Sequence, residues 1–313
     1  MGVTLQGRNG VVTGAGRGIG REIALALAAE GAKLVVNDPG VSRVGTGTDV
    51  APADEVVVEI RKHGGTAVAN YDSVTDFASA ERIVKSCVDN FGRIDILVNC
   101  AGILRDRMIF NMSEEEWDMV LSVHLKGTFN MCRHASRWMR EQRYGRIINV
   151  ASAAWLGSTG QSNYSAAKGG IVSFTRSIAL ELGRYGVTCN CIVPMAATRM
   201  TLSDDVKAKF KMQLDSGAIT KERYEELVNM PGPEFVAPAV VYLATDAAAN
   251  INGLVVRSAG GTVGVYSEPS IAKIIHKNYR KEGPWTVDEL ADLVPKILLV
   301  GYVNPAPPEE KAK

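Results

Sequence analysis

The sequence of 313 residues lacks the marks of several protein classes. No apolar run approaches the roughly 18 residues that span a bilayer, and the N-terminus has no charged, apolar and small-residue leader, so we expect neither a membrane protein nor a secreted one. The formal net charge of +1 gives no reason to expect nucleic acid or an anionic membrane as a partner. The five cysteines are an odd number without metal-ligand spacing, so we predict no metal site and a reducing, cytoplasmic environment.

The composition is that of an ordinary globular enzyme, with 46% hydrophobic and 22% charged residues. The length permits one large α/β domain or two small ones, but the sequence shows no internal repeat and no second core. We predict one catalytic domain over residues 1–266 and a C-terminal extension over residues 267–313. The extension contains a helix candidate at 287–299 and ends in a Pro-rich, polar stretch, residues 304–313, that we expect to be disordered.

Strand-like and helix-like segments alternate along most of the chain. Short β-branched or apolar runs, such as residues 10–13 and 95–99, are followed by stretches with apolar residues at helical spacing. This order predicts a Rossmann-type α/β fold, a doubly wound parallel sheet with helices on both faces, whose ligands bind beyond the carboxyl ends of the strands. We expect Pro194 to end a late strand, a flap to cover the site over about residues 195–232, and the last strand to lie at 254–257.

A glycine-rich turn joins the first predicted strand to the first helix. Gly14, Gly18 and Gly20 leave room for the backbone to approach a pyrophosphate, and the following helix would present N–H groups and positive potential. The familiar Gly-x-Gly-x-x-Gly spacing fails, because Ile19 occupies the position of its last glycine. We interpret the turn as a dinucleotide site; a glycine turn without a ligand is the alternative.

The second predicted strand ends in Asp38, which bears on the choice of cofactor. A carboxylate there can accept hydrogen bonds from an adenosine ribose and would repel a 2′-phosphate, which favours NAD over NADP. Arg17 favours the opposite choice, since a guanidinium beside the ribose could hold that phosphate. We give Asp38 more weight because it would face the ribose hydroxyls directly. Gly14, Asp72 and Asn99 also follow predicted strands, so one extended cofactor could contact all of them.

Tyr164 and Lys168 are four residues apart and would share one face of a helix. An isolated phenol has a pKa of about 10. A nearby ammonium favours the phenolate and lowers that pKa towards neutrality, where a general acid or base works best. Such pairs also occur by chance on solvent-facing helices, so their meaning depends on the residues placed beside them.

Four motifs occur in order along the chain: Thr13-Gly14-x-x-x-Gly18-x-Gly20, Asn99-x-Ala101-Gly102, Ser152 and Tyr164-x-x-x-Lys168. Together they resemble the short-chain dehydrogenase/reductase family, over about residues 5–262. Within that family the chain resembles the (3R)-hydroxyacyl-CoA dehydrogenase part of the peroxisomal multifunctional β-oxidation enzymes, and bacterial relatives acting on acyl-CoAs or steroids. The stretches that carry this closer resemblance are 36–38, 69–74, 101–107, 123–125 and 161–168.

The resemblance implies a role for each matched residue. Tyr164 would be the general base for alcohol oxidation and the acid for ketone reduction, Lys168 would lower its pKa and hold the nicotinamide ribose, and Ser152 would hydrogen-bond the substrate oxygen. Asp72 and Asn99 would contact the adenosine side. The implied cofactor-binding residues are Gly14, Arg17, Gly18, Ile19, Gly20, Asp38, Asp72, Ser73, Asn99, Ala101, Gly102, Tyr164, Lys168 and Thr198.

Three positions depart from the family pattern. Many members carry an Asn, which helps to hold a proton-relay water, where this chain has His124; the acyl-CoA subgroup also has His there, so we leave a direct catalytic role open. Ser152 lies 12 residues before Tyr164, one fewer than in the nearest relatives, which could reshape the pocket. Met195 stands where Gly is common, and Thr198 remains a candidate contact to the nicotinamide carboxamide.

We therefore predict an NAD-dependent oxidoreductase that interconverts a secondary alcohol and a ketone, acting on a 3-hydroxyacyl-CoA. Arg105 and Arg107 could meet the phosphates of the CoA, although two solvated surface arginines are the alternative. By analogy with the family we expect a homodimer or homotetramer formed through the helices around Leu125 and Tyr164.

Two other functions stay open. A steroid or alicyclic secondary alcohol is the alternative substrate, for which an apolar lining would come from Trp155, Met195, Met200 and Met212. A dinucleotide-binding protein without catalytic activity is the more distant alternative, and the intact Ser152, Tyr164 and Lys168 count against it.

Overall fold

The structure, a computed structural model, describes residues 3–198 and 200–306. It forms two compact units, Met1–Tyr266 and Ser267–Lys313. The strands of the first unit are β1 (Asn9–Thr13), β2 (Lys33–Asn37), β3 (Thr66–Asn70), β4 (Ile96–Asn99), β5 (Gly145–Val150), β6 (Val187–Met195), β7 (Val255–Ala259) and β8 (Thr262–Val265). They form a single sheet in the order β3-β2-β1-β4-β5-β6-β7-β8, in which all neighbours are parallel except β7 and β8.

Helices cover both faces of this sheet. They are α1 (Gly18–Ala29), α2 (Ala51–Lys62), α3 (Phe77–Phe91), α4 (Glu114–Leu121), α5 (Gly127–Gln142), α6 (Ser162–Leu182), α7 (Asp204–Asp215), α8 (Lys221–Val228) and α9 (Ala237–Ala244). Adjacent strand residues belong to different cores: Val12 packs with α1, α2 and α9, whereas Val11 packs with α3, α5 and α6. Strands buried on both faces read as continuous apolar runs, and the predicted doubly wound fold is confirmed.

Two details of the sheet differ from the prediction. β6 does not end at Pro194 but continues to Met195, and Pro194 pairs in register with Ser258 of β7. The ladder with β5 stops two residues earlier, at Ile192, so Pro194 lies where no β5 partner requires its missing N–H. The antiparallel β8 was not predicted, because it has only four residues and its two alternating valines, Val263 and Val265, are exposed and do not mark a buried face.

The predicted flap between β6 and α9 contains two helices, α7 and α8. The chain between them turns at Gly217, which has a φ of +72° that favours glycine. The loop after β2 ends at α2, which begins at Ala51 with Pro52 in its first turn. These two segments supply walls of the site described below.

The second unit has little regular structure. It contains α10 (Tyr279–Glu282), α11 (Val287–Leu293) and a π-helical turn, Val294–Leu298, in place of the single predicted helix at 287–299. A capping box of Thr286 and Glu289 starts α11. Of the end that we expected to be disordered, residues 307–313 lie outside the described residues. In the described part of the chain, no helix combines the length and apolar character needed to cross a bilayer.

Candidate active site

A cleft of about 1320 Å³ opens at the carboxyl ends of the parallel strands. This is where ligands bind in doubly wound sheets. Fourteen of the sixteen predicted site residues line it, and they are Gly14, Arg17, Gly18, Ile19, Gly20, Asp38, Ser73, Ala101, Gly102, His124, Ser152, Tyr164, Lys168 and Thr198. The fold therefore brings the glycine turn, the β2 carboxylate and the Tyr–Lys pair into one cavity.

The side chains of Asp72 and Asn99 are held elsewhere. The Asp72 carboxylate accepts hydrogen bonds from the Arg82 guanidinium, at 3.1 Å from its Nε. The Asn99 side chain is buried, and its Nδ2 donates to Asn149 Oδ1 at 2.8 Å across the β4–β5 ladder. Neither residue is among those that line the cleft, and each side chain has a hydrogen-bond partner within the protein, so their contact with the adenosine stays a prediction.

The glycine turn is shaped by close backbone contacts. Thr13 Oγ1 accepts hydrogen bonds from the N–H groups of Cys100, at 3.1 Å, and Ala101, at 3.2 Å, which ties the ends of β1 and β4 together. A Cβ on Gly14 would lie 2.7 Å from the Ala101 Cα, and one on Gly20 would lie 2.2 Å from the Gly14 carbonyl oxygen. Only glycine allows α1 to approach the turn this closely.

The N-terminus of α1 faces the cleft, with Gly18, Ile19 and Gly20 in its lining. Arg17 stands at the N-cap position, and within the described residues no side chain caps the helix. First-turn N–H groups and the positive end of a helix dipole suit a phosphate anion. The turn and the helix together fit the pyrophosphate of a dinucleotide.

Asp38 is held in the cleft wall by two backbone groups. Its Oδ2 accepts from the Gly16 N–H at 2.9 Å and its Oδ1 accepts from the Gly40 N–H at 2.7 Å, and the residue is 8% exposed. Each oxygen keeps a lone pair for a ribose hydroxyl. Arg17 is paired with Asp49, at 3.3 Å between Nη2 and Oδ2.

Tyr164 and Lys168 share the cleft-facing side of α6, and the Lys168 Nζ lies 5.5 Å from the centre of the Tyr164 ring. Burial raises the pKa of Tyr164 to about 12, while hydrogen bonding with the Ser152 side chain acts in the opposite direction. Burial also lowers the pKa of Lys168 to about 8. The spacing predicted a lowered phenol pKa, but in this structure desolvation is the largest influence and raises it. The Lys168 Nζ donates to the Val150 carbonyl at 2.5 Å.

His124 lies on a π-helical turn, Ser122–Lys126, that links α4 to α5. Its imidazole is 2% exposed and packs edge-on against Tyr164, with ring centres 5.1 Å apart. The Nε2 lies 3.1 Å from the Ile103 nitrogen and 2.8 Å from the Ile103 carbonyl oxygen, while Nδ1 is buried without a hydrogen-bond partner among the described residues. Burial holds the pKa of His124 well below its ordinary value, so the ring is neutral.

Asn163, which was not among the predicted site residues, positions Tyr164. Asn163 is fully buried; its Nδ2 donates to the carbonyls of Arg105 and Glu116, both at 3.0 Å, and its Oδ1 accepts the Tyr164 N–H at 2.7 Å. It therefore fastens the start of α6 to the segments before and within α4. The signal in the sequence was a polar residue on the buried side of this helix.

Several residues proposed for the substrate lie elsewhere. Arg105 is outside the cleft lining and pairs with Glu115, whereas Arg107 lines the cleft and pairs with Glu116. Of the four predicted apolar residues only Met200 lines the cleft. Trp155 packs against Tyr266, and Met195 and Met212 are exposed at the surface. The apolar residues that line the cleft include Met119 and Val123, together with Met200, Val206 and Phe210 of the flap.

In residues 3–198 and 200–306, no group of three or more His, Cys, Asp or Glu side chains is arranged to hold a metal ion. The polar side chains that line the cleft carry hydroxyl, amide, imidazole, ammonium and guanidinium groups, together with the carboxylates of Asp38 and Asp106. This set of groups suits an anionic, hydroxyl-bearing ligand.

Residues 8–208 match the model of a protein family described as short chain dehydrogenase. Curated relatives extend the similarity further. The chain is 47% identical to a short-chain type dehydrogenase/reductase of Mycobacterium tuberculosis, over 83% of this chain and 84% of that one. It is 40% identical to a hydroxyacyl-CoA dehydrogenase of the same organism, over 86% of this chain and 82% of that one.

The chain is also 41% identical to the peroxisomal multifunctional enzyme type 2 of the mouse, over 93% of its own length. It spans only 36% of that longer enzyme. Among solved structures, the crystal structure of a short chain dehydrogenase from Mycobacterium avium matches with a TM-score of 0.79 and 41% identity, covering 99% of this chain and 100% of that one.

Proposed function

This chain belongs to the short-chain dehydrogenase/reductase family, and we propose that its cleft interconverts a 3-hydroxyacyl-CoA and the corresponding 3-ketoacyl-CoA with NAD as the cofactor. Enzymes of this family are oxidoreductases that use NAD or NADP. The observation that carries the proposal is the meeting of Ser152, Tyr164 and Lys168 with the glycine turn and Asp38 in one cavity.

The chemistry divides between the cofactor and the chain. A bound oxidised nicotinamide supplies the acceptor for the hydride from the carbinol carbon, and a positive charge. Ser152 would hydrogen-bond the substrate oxygen, and Tyr164 Oη would take the hydroxyl proton during oxidation and return it during reduction. With its pKa at about 8, Lys168 is mostly protonated at neutral pH and favours the phenolate.

The preference for NAD over NADP is supported by the charges around the ribose position. Asp38 is fixed by two backbone N–H groups and cannot swing away without breaking both hydrogen bonds. Arg17, which could have favoured NADP, is already paired with Asp49. A 2′-phosphate would therefore meet an immobile carboxylate and a guanidinium whose charge is partly compensated.

The hydroxyacyl-CoA substrate is supported by similarity to a mycobacterial protein named for that activity. The apolar walls from α4 and the flap suit an acyl chain, but they also suit a steroid or alicyclic alcohol. A substrate panel decides between them: with NAD present, we expect NADH formation from a 3-hydroxyacyl-CoA at a kcat/KM well above that of the free hydroxy acid and of a hydroxysteroid. A preference for the hydroxysteroid would overturn the substrate proposal.

Tyr164→Phe tests the mechanism itself. The variant keeps the ring and loses only the hydroxyl that carries the proton, so we expect turnover to fall by at least about a hundredfold, the lower end of a general acid–base contribution. The affinity for NAD, measured by calorimetry, should stay within about twofold of the wild type. A variant with normal turnover would refute the role of Tyr164, and a wild type that binds NAD without turning over any substrate of the panel would favour a non-catalytic protein.

We also propose a homodimer or homotetramer formed through α5 and α6. Phe129 and Trp138 of α5 and Leu180 of α6 support this, because these large apolar side chains are between 40% and 85% exposed. A reducing, cytoplasmic location is supported by the five free cysteines, four of which are buried thiols.

A further inference from the structure

The loop between β2 and α2 is held in shape by its own backbone. At its base, the Asp49 N–H donates to the Pro39 carbonyl at 3.3 Å, and a Cβ on Gly40 would lie 1.6 Å from the Asp49 carbonyl oxygen. Within the loop, the Ser42 N–H donates to the Thr46 carbonyl at 2.8 Å, and the two hydroxyls of this pair are 2.8 Å apart. The loop is therefore closed at its base and preorganised.

The tip of this loop is docked on the segment that follows β4. The Leu104 N–H donates to the Arg43 carbonyl at 3.0 Å, and the Arg105 Nε donates to the Val44 carbonyl at 3.0 Å. The main chain at Arg43 is thus fixed at the wall of the cleft, and only its side chain is left to move.

The Arg43 side chain extends along the cleft to the flap. Its Nη1 donates to Ser203 Oγ at 3.0 Å, and Ser203 is the N-cap residue of α7, although its hydroxyl does not cap that helix within the described chain. Arg43 lines the cleft, and among the described residues its guanidinium forms no ion pair with a carboxylate. Arg17 and Arg107, the other cleft arginines, each have a carboxylate partner.

We propose that Arg43 is a phosphate-binding residue of the cleft, whose guanidinium exchanges the Ser203 hydroxyl for phosphate oxygens of a bound ligand. The phosphates come from the dinucleotide pyrophosphate or from a CoA thioester, and this inference rests on the proposed function because that function brings both into the cleft. A neutral hydroxyl offers a guanidinium one acceptor, whereas a phosphate offers two charge-assisted, parallel hydrogen bonds. Since the loop backbone is already docked, the exchange needs only a side-chain rotation.

Calorimetric binding with the purified full-length chain tests this without turnover. The ligands are NAD, coenzyme A and adenosine, which lacks phosphate. We expect Arg43→Ala to weaken the binding of NAD or of coenzyme A about tenfold, as for one lost charge-assisted interaction, and to leave adenosine unchanged. The ligand that is weakened identifies the source of the phosphate. Lys62→Ala removes an equal charge from the exposed end of α2 and should change neither affinity.

Two further variants separate phosphate binding from a structural latch. Ser203→Ala removes the present partner of Arg43 but keeps the guanidinium, so it should bind both ligands as the wild type does. Arg43→Gln keeps a donor for Ser203 without the charge and should lose about as much affinity as Arg43→Ala; it also carries the test if the alanine variant fails to fold.

The inference is overturned if Arg43→Ala and Arg43→Gln bind NAD and coenzyme A within twofold of the wild type, or if Ser203→Ala loses as much affinity as they do. Failure of the proposed function is a separate result. A wild type that binds NAD but oxidises no 3-hydroxyacyl-CoA rejects the substrate, while the NAD measurements still decide the role of Arg43. A wild type that binds neither phosphate ligand rejects both proposals.

Discussion

Gly102 and His124 allow a quantitative test of how tightly the cleft is packed. A Cβ added at Gly102 would lie 2.6 Å from Cε1 and 3.4 Å from each ring nitrogen of His124. The imidazole has little room to retreat, because it is bonded through Nε2 to Ile103 and packed against Tyr164. Overpacking of this kind costs about 1–3 kcal/mol, so we expect Gly102→Ala to lower the free energy of unfolding by that amount. The midpoint of thermal unfolding should fall by roughly 1–2 °C for each kcal/mol, because a chain of 313 residues has a large entropy of unfolding.

A double-mutant cycle identifies the obstacle. In a His124→Ala background the added methyl group enters the space that the imidazole leaves, so the cost of Gly102→Ala should drop by at least about 1 kcal/mol, measured by urea unfolding of the four proteins. Gly169→Ala is the matched control: its Cβ would come no closer than 3.9 Å to another atom, and in α6 it should be neutral or stabilising by up to about 1 kcal/mol. Strictly additive costs of Gly102→Ala and His124→Ala would refute the steric reasoning.

Three other groups give sharp tests. Asp38→Ser removes the carboxylate that would face a 2′-phosphate, so the ratio of kcat/KM with NADP to that with NAD should rise at least about tenfold; an unchanged ratio contradicts the cofactor proposal. Burial lowers the pKa of Lys168 from its usual 10.5 to about 8, so between pH 8 and pH 10.5 the unfolded chain binds more protons than the folded one and the free energy of unfolding rises with pH. From pH 8 to pH 10 the unfolding midpoint of the wild type should therefore rise relative to that of Lys168→Met. A constant difference between the two midpoints would contradict the lowered pKa. Leu180 on α6 is 85% exposed, and Leu180→Glu should reduce the oligomer mass measured by light scattering. Leu156→Glu, at an exposed leucine outside α5 and α6, should leave that mass unchanged. Equal masses for Leu180→Glu and the wild type would contradict an interface formed through α5 and α6.

The parallel part of the fold could be predicted because local patterns and the global architecture agree. The buried strands are apolar on both faces, and turns such as the one at Gly14 mark their ends. The details that failed depend on neighbours in space. Whether Pro194 ends a strand depends on how far β5 extends beside it, and β8 exists because β7 offers it an edge. Neither fact can be read from the residues of the segment itself.

In the candidate site, sequence spacing determines the positions of the side chains, whereas burial determines their pKa values. The spacing of Tyr164 and Lys168 placed both on one side of α6, as the structure has them. Spacing carries no information on solvation, however, and the pKa of Tyr164 depends on it: burial raises that pKa to about 12 although an ammonium is near. The same burial lowers the pKa of Lys168, because desolvation destabilises the charged form of each group, the phenolate of the tyrosine and the ammonium of the lysine. A cleft that opposes both charges holds the phenol neutral until further positive charge reaches it. If Tyr164 carries the proton as proposed, we expect proton transfer to be coupled to binding of the oxidised cofactor, whose positive charge favours the phenolate. The sequence pattern predicts which atoms take part, but the solvation that sets their pKa values is known only from the fold.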